Sequence, residues 1–332
     1  MNILAAIWAI LIAFGIILYI ILDGFDLGIG MMVLFFKNEH DRDIMISTVL
    51  PVWDGNETWL VFAGATLYGA FPLAFSVIMP ILYLPVFIMV IALLFRGISF
   101  EFRLKGIKSK PFWDICLFLG SLFSTIAQGL ILGTFVQGFS LTVRSEGDPF
   151  SQWLNPFGIA CSIALIFGYL LLGSSRLISK TTGKLQENCF KVSSKLQYAM
   201  WGFVIMVSIW SPFLNYEIKQ RWFNPQYMPY LAILPMLAIV SLITHWYAIK
   251  NEYEHIPFWS SVGVFLSCYF GFIISTYPYI VPRHITYIQA AAPRSSLLFM
   301  LVGACIMLPP LLYYTYFSYK IFSGKTTEKI WY

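Results

Sequence analysis

Between Ile21 and Leu60 the sequence reads ILDGFDLGIGMMVLFFKNEHDRDIMISTVLPVWDGNETWL and holds seven carboxylates, at Asp23, Asp26, Glu39, Asp41, Asp43, Asp54 and Glu57. The chain as a whole is 59% hydrophobic and 11% charged, so such a concentration of acid demands a reason. Asp23 and Asp26 are three residues apart, as are Asp54 and Glu57, so on a helix each pair shares a face and can address one neighbour. All four stand where a membrane helix would be apolar, and a carboxylate at the centre of such a helix costs about 2.5 to 3.5 kcal/mol. Two chemistries repay that cost. One is the binding and relay of protons, for which membrane proteins use Asp, Glu and His at spacings a water bridges. The other is a structural ion pair with Arg96 or Arg103, which spacing alone slightly favours. Gly24 and Gly28 form a GxxxG step that lets a second helix approach the acidic face closely.

Other chemistries find little support. The four histidines are His40, His245, His255 and His284. Three fall in expected loops and His245 near the inner end of a span, so no pair is expected to face across a bundle as bis-histidine haem ligation requires. The five cysteines are widely spaced without a CxxC, which argues against a disulfide framework or a metal site. No phosphate-binding glycine loop, dinucleotide fingerprint, Ser/His/Asp arrangement or metal-spaced His/Glu motif occurs. The net charge of +5 is expected to lie in loops beside lipid headgroups rather than to bind nucleic acid.

The elements that must hold these residues are membrane helices. Apolar runs of bilayer length predict an all-α polytopic protein with nine spans, near 3–34, 53–73, 75–95, 114–137, 154–173, 198–214, 229–249, 257–277 and 297–319. The longest polar stretch, about Ser174 to Lys195, is read as a loop too short for a core of its own. No basic residue precedes the first apolar run, MNILAAIWAI, so no cleaved signal is expected. Of the 21 Lys and Arg, 16 follow odd-numbered spans, among them Arg96, Arg103, Arg176 and Lys180. The remainder, including Arg144, follow even-numbered ones, which predicts an outside N-terminus and a cytoplasmic C-terminus. Asp54, Glu57 and Glu101 then lie at cytoplasmic helix ends, with Asp23 and Asp26 in the cytoplasmic half of the first span. Prolines at 72, 80, 85, 212, 235, 309 and 310 are expected to kink the spans.

Six segments carry a resemblance. LDGFDLGIGM (Leu22 to Met31), RDIMISTVLPVWDGNETWL (Arg42 to Leu60), LFRGISFEFR (Leu94 to Arg103), YPYIVP (Tyr277 to Pro282), AAAPRSSLLFML (Ala290 to Leu301) and YKIFSGK (Tyr319 to Lys325) resemble subunit II of the cytochrome bd-type quinol oxidases. Chain length and the YPYIVP and AAAP segments look closer to the cyanide-insensitive branch. The resemblance implies a haem-free subunit whose partner, subunit I, carries haem b558, haem b595 and haem d, oxidises ubiquinol at the outer face and reduces dioxygen to water. It implies two four-helix bundles, here about 1–137 and about 154–277, and a peripheral ninth helix at about 297–319, all in one membrane-embedded domain in the bacterial inner membrane. Further expected partners are lipids and small accessory membrane subunits.

In that family the aspartate of the WDGN motif lies at the subunit interface on a cytoplasmic proton route. By resemblance this role falls to Asp54, with Trp53, Gly55, Asn56 and Glu57 around it, while Asp23 and Asp26 of the DGFD motif take a structural or relay role. Glu101, Arg96 and Arg103 complete the candidate set. Two other readings stand beside this one. A proton- or cation-coupled secondary transporter would use the same acids, but the paired discontinuous helices of such proteins are missing. A pure assembly scaffold would lend no group to the chemistry.

Overall fold

A computed structural model describes residues 2–106, 108–138 and 152–326. Arg144 and Lys329, two cations of the topology argument, lie outside the described residues. Helix α1 (Asn2–Met32) runs into a short 3-10 turn and the amphipathic helix α2 (Glu39–Ser47). There follow α3 (Trp53–Ala70), α4 (Pro72–Lys105) and α5 (Lys110–Gln137), then α6 (Pro156–Lys180) and α7 (Gly183–Leu214). Short α8 (Tyr216–Trp222) and α9 (Met228–Leu231) lead to α10 (Ile233–Lys250) and α11 (Ile256–Thr276). A small hairpin, β1 (Tyr279–Val281) with β2 (Ile285–Thr286), and α12 (Tyr287–Ala290) precede the final helix α13 (Arg294–Ile321).

Among the described residues eight helices are long and apolar enough to cross a membrane. The segment expected as a second span is helical too, as α3, but Asp54, Asn56 and Glu57 in its first turns lower its hydropathy below that of the eight. Two expectations are corrected by helix length. Ser174 to Lys195 is not a loop, because α6 continues to Lys180 and α7 begins at Gly183. Arg96 and Arg103 are not loop cations either, but sit in the last three turns of α4, 0% and 2% exposed. At 1.5 Å per residue the 34 residues of α4 span roughly 51 Å against a hydrocarbon thickness of about 30 Å, so its cationic end projects beyond the lipid tails without leaving the helix. His40, also expected in a loop, lies in the first turn of α2. Pro80, Pro85, Pro212, Pro309 and Pro310 lie inside unbroken helices.

The halves of the chain meet where α1 and α5 pack on α6. At Gly28 a Cβ would fall onto the carbonyl oxygen of Tyr169 and lie 3.2 Å from the Cα of Gly173, so glycine is what allows these backbones to touch. Gly24, one turn earlier, leaves room for the Tyr169 ring. A large apolar core at this level includes Phe25, Leu27, Met45, Phe100, Leu172, Leu177 and Phe258. A second, at the opposite end, joins Trp8, Phe71, Val281 and Leu297, and there the Trp8 indole donates to the Leu297 carbonyl (3.1 Å). Helix α13 is mostly uncovered, with Leu297 its one buried residue. Its tail is pinned: Lys180 Nζ donates to the carbonyls of Phe322 and Gly324, and Lys325 donates to the Thr181 carbonyl (2.9 Å) while pairing with Glu254 (2.9 Å). These contacts gather the α6–α7 corner, the α10–α11 corner and the C-terminal tail at one end of the bundle.

Candidate proton-handling site

Asp23 and Asp26 are both fully buried on α1. One turn of helix separates them, yet their partners differ. Arg96 Nη2, from α4, pairs with Asp23 Oδ1 at 2.7 Å and also with Glu57 Oε1 from α3. One guanidinium nitrogen thus serves two carboxylates. Arg96 reaches them because Gly97 and Gly120 leave space on either side. A Cβ at Gly120 would meet the backbone of Ala92 and Arg96, and one at Gly97 would meet the Trp53 ring.

Asp26 has no such cation. Its Oδ2 accepts from Asn56 Nδ2 (2.7 Å), and the same amide donates to the Leu22 carbonyl (3.1 Å) while Asn56 Oδ1 accepts from the Tyr319 hydroxyl (3.0 Å). Among the described residues no Lys, Arg or His nitrogen lies within 4 Å of Asp26. Besides Arg96, a second positive charge acts on Asp26 from Arg176, whose guanidinium stacks over the rings of Phe25, Phe258 and Tyr319 at 5.1, 5.2 and 5.5 Å. Aromatic faces stabilise a cation without neutralising it, so Arg176 keeps a field directed at Asp26. Asp26 Oδ1, Arg96 Nε and Arg96 Nη1 are buried without a protein hydrogen-bond partner among the described residues.

The remaining sequence candidates divide. Asp54 is exposed in the first turn of α3, where a carboxylate suits the helix N-terminus, and no cation among the described residues pairs with it. Trp53 stacks obliquely on Phe100 (5.4 Å), and Gly55 faces Tyr314. Glu101 is exposed and, among the described residues, its one ion pair is with Lys105, at 3.9 Å. Arg103 belongs to a separate network at the α2 end, binding Asp43 (2.6 Å) and Asp114, with Arg42 on Asp114 (2.9 Å) and Lys110 on Asp43 (2.9 Å) and Glu39 (3.0 Å). The ion-pair alternative therefore holds for Asp23 and Glu57 with Arg96, and not for Asp26 or Asp54.

Sequence reasoning missed Arg176, Tyr319 and a hydrogen-bonded run in which Tyr169 donates to Gln128 (2.7 Å) and Gln128 to Tyr19 (2.8 Å), one turn from Asp23. It also missed His245, which is fully buried: its Nδ1 meets Gln197 Oε1 (3.1 Å) and its Nε2 meets the hydroxyls of Ser175 (3.2 Å) and Ser193 (3.4 Å). Both ring nitrogens are engaged in hydrogen bonds. A run such as GSSR at 173–176, polar within an apolar stretch, was the available clue to both Ser175 and Arg176.

A helical membrane protein with carboxylates and arginines buried on its first three long helices is, as a class, one that holds charge within the bilayer for a purpose. The profile of the cytochrome bd terminal oxidase subunit II family matches residues 4–322, and the chain belongs to that family. It is 27% identical over 370 residues to the cytochrome bd-I ubiquinol oxidase subunit 2 of Escherichia coli (strain K12), covering 99% of this chain and 97% of that protein. To the cytochrome bd ubiquinol oxidase subunit 2 of Bacillus subtilis (strain 168) it is 26% identical over 333 residues, covering 97% and 96%. In fold it is similar to a chain of the bd oxidase from Geobacillus thermodenitrificans, with a TM-score of 0.79 and 18% identity over 97% of this chain and 99% of that one. The chain is thus a subunit of a respiratory terminal oxidase, a cytochrome complex of the bacterial inner membrane, and subunit I is its partner. The transporter reading is set aside.

Proposed function

We propose that this chain is the haem-free subunit of a ubiquinol:oxygen oxidoreductase and that its buried acids carry protons inward from the cytoplasmic side. The reading assigns haem b558, haem b595 and haem d to subunit I, which oxidises ubiquinol at the outer face. Electrons and protons then reach dioxygen from opposite sides of the membrane, and turnover generates a membrane potential. Nine spans in two four-helix bundles, about 1–137 and about 154–277, plus the ninth helix near 297–319, with the N-terminus outside and the C-terminus cytoplasmic, complete the proposal. Lipids and small accessory membrane subunits would cover the apolar faces that subunit I leaves free.

The observation that carries the proton role is the mismatch between acids and bases. Asp23 and Glu57 share Arg96, while Asp26 is held by neutral Asn56. A carboxylate with hydrogen bonds but no ion pair, beside a neighbour that has one, is the group free to take and release a proton. Asp54, exposed at the head of α3, is placed to pass protons to this cluster from the water side.

In the assembled complex Asp26→Asn and Asp54→Asn should each lower turnover about tenfold, equivalent to about 1.4 kcal/mol in the barrier, with the reduced-minus-oxidised haem spectrum unchanged. Normal turnover in both variants would leave this chain a scaffold.

A further inference from the structure

Asp26 is screened from the surface by a thin layer. Asn56, 1% exposed, holds Asp26 Oδ2 with its amide nitrogen and is itself held by the Tyr319 hydroxyl on its amide oxygen. On the far side of this pair, between the first turns of α3 and the last turns of α13, lies a cavity of about 10 Å³. Gly55, Asn56, Tyr314, Thr315, Ser318 and Tyr319 are among its walls. That volume accommodates one water, which needs two to four polar partners. Asn56, Thr315, Ser318 and Tyr319 bring one amide and three hydroxyls to the lining residues. The outer wall is thin: Tyr314 is 53% exposed, and Gly55 sits opposite it, where an added Cβ would come 3.2 Å from the Tyr314 ring. On the inner side Asp26 Oδ1 is buried without a protein partner among the described residues, as polar atoms that contact internal water commonly are.

We propose that the seam between α3 and α13 is a water inlet to Asp26, latched by the Tyr319–Asn56 hydrogen bond. An amide cannot hand on a proton without changing tautomer, so Asn56 acts as a latch and not as a link. When its amide swings off Oδ2, a hydronium ion in the seam meets the carboxylate. The O–H bond of the hydronium breaks, a new O–H bond forms at Asp26, and a neutral water remains in the cavity. Tyr319 is then a positioning residue, because its hydroxyl fixes the resting rotamer of Asn56 while its ring keeps its place over Arg176. This inference rests on the proton-uptake reading above, and the experiment separates the two.

Tyr319→Phe removes the hydroxyl and keeps the ring. Ser318→Leu fills the cavity from α13, and Gly55→Ala narrows it by less if the leucine variant does not assemble. Each is measured in the whole oxidase complex beside Asp26→Asn and Tyr316→Phe, the last a change at an exposed tyrosine of the same helix. The cavity-filling variants should lower kcat about tenfold with the quinol KM and haem spectrum unchanged, the signature of an interaction that does not bind substrate. They should also slow deuterium exchange of the infrared carboxyl band that Asp26→Asn removes, whereas Tyr319→Phe, which frees the latch, should speed that exchange. Tyr316→Phe should match the unmodified complex. Should Asp26→Asn be slow while Tyr319→Phe and Ser318→Leu keep normal kcat and exchange, the inlet is refuted and the proton role survives. Should Asp26→Asn turn over normally, the proton role falls and the inlet falls with it.

Discussion

The two halves of the chain each bury a polar core, and the cores are built on opposite plans. In the first half, α1, α3 and α4 bring Asp23, Asp26, Glu57 and Arg96 together, with unequal charges and several unpartnered atoms. In the second, α6, α7, α10 and α11 each contribute to a neutral cluster of Ser175, Ser193, Gln197, His245 and Ser261. There the His245 nitrogens are occupied and Ser175 also meets Ser261 at 3.3 Å. A satisfied neutral network holds helices in register at little cost, as interhelical hydrogen bonds do in lipid. A charged and partly unsatisfied one costs more to bury and is retained where charge has to move. On the proposed reading the second core serves stability and the first serves chemistry.

The largest expected effect comes from removing the cation of the first core. Arg96→Gln leaves Asp23 and Glu57 buried without an ion pair, a loss of about 3 to 5 kcal/mol for a buried pair deprived of one partner. The complex should fail to accumulate, read as loss of haem bands per unit of membrane protein. Wild-type accumulation and turnover would show that the ion pair does not hold this core. A smaller effect follows in the second core. His245→Leu removes the acceptor and donor shared by three neighbours, and at about 0.6 kcal/mol for each hydrogen bond in a membrane the cost is about 2 kcal/mol. Thermal unfolding of the purified complex should shift downward while kcat is unchanged. A fall in kcat at constant stability would place chemistry in the second core and break the contrast.

The smallest effect lies outside both cores, at the α2 network. Partial burial raises the Asp43 pKa, but hydrogen bonds from Lys110 and Arg103 and the charges of the two cations outweigh this and hold it below the usual carboxylate range. A carboxylate whose pKa is lower folded than unfolded stabilises the fold above its unfolded value, near pH 3.9, and loses that contribution as pH falls through the folded value. Proteolysis of the α2 segment should therefore accelerate below about pH 4, and Asp43→Asn should flatten that dependence. At this partly buried site near the surface the energy is about 1 kcal/mol.

Helix number and extent were mostly legible in the sequence, because bilayer thickness fixes the length of an apolar run. The correction at Ser174–Lys195 shows the limit: a polar run ends the membrane segment and need not end the helix, since helical hydrogen bonding continues into water. Gly28 was legible as a packing residue, and its contact with Tyr169 on α6 was not, because a GxxxG step does not name its partner. Asp54 illustrates the converse. Its motif makes it the most conspicuous acid in the chain, yet it is exposed, and its neighbour Asn56 is the residue that touches the buried aspartate.

The sequence by itself determined that this protein spans a membrane, that carboxylates enter its apolar segments, and which family it resembles, since composition, run length and motif are one-dimensional properties. Only the tertiary structure decided that Arg96 serves Asp23 and Glu57, that Asp26 rests on Asn56 and Tyr319 from the far end of the chain, and that Arg176 lies over three rings. Those pairings depend on which helix faces which, and helix packing is settled by the shapes of side chains hundreds of residues apart rather than by any local pattern.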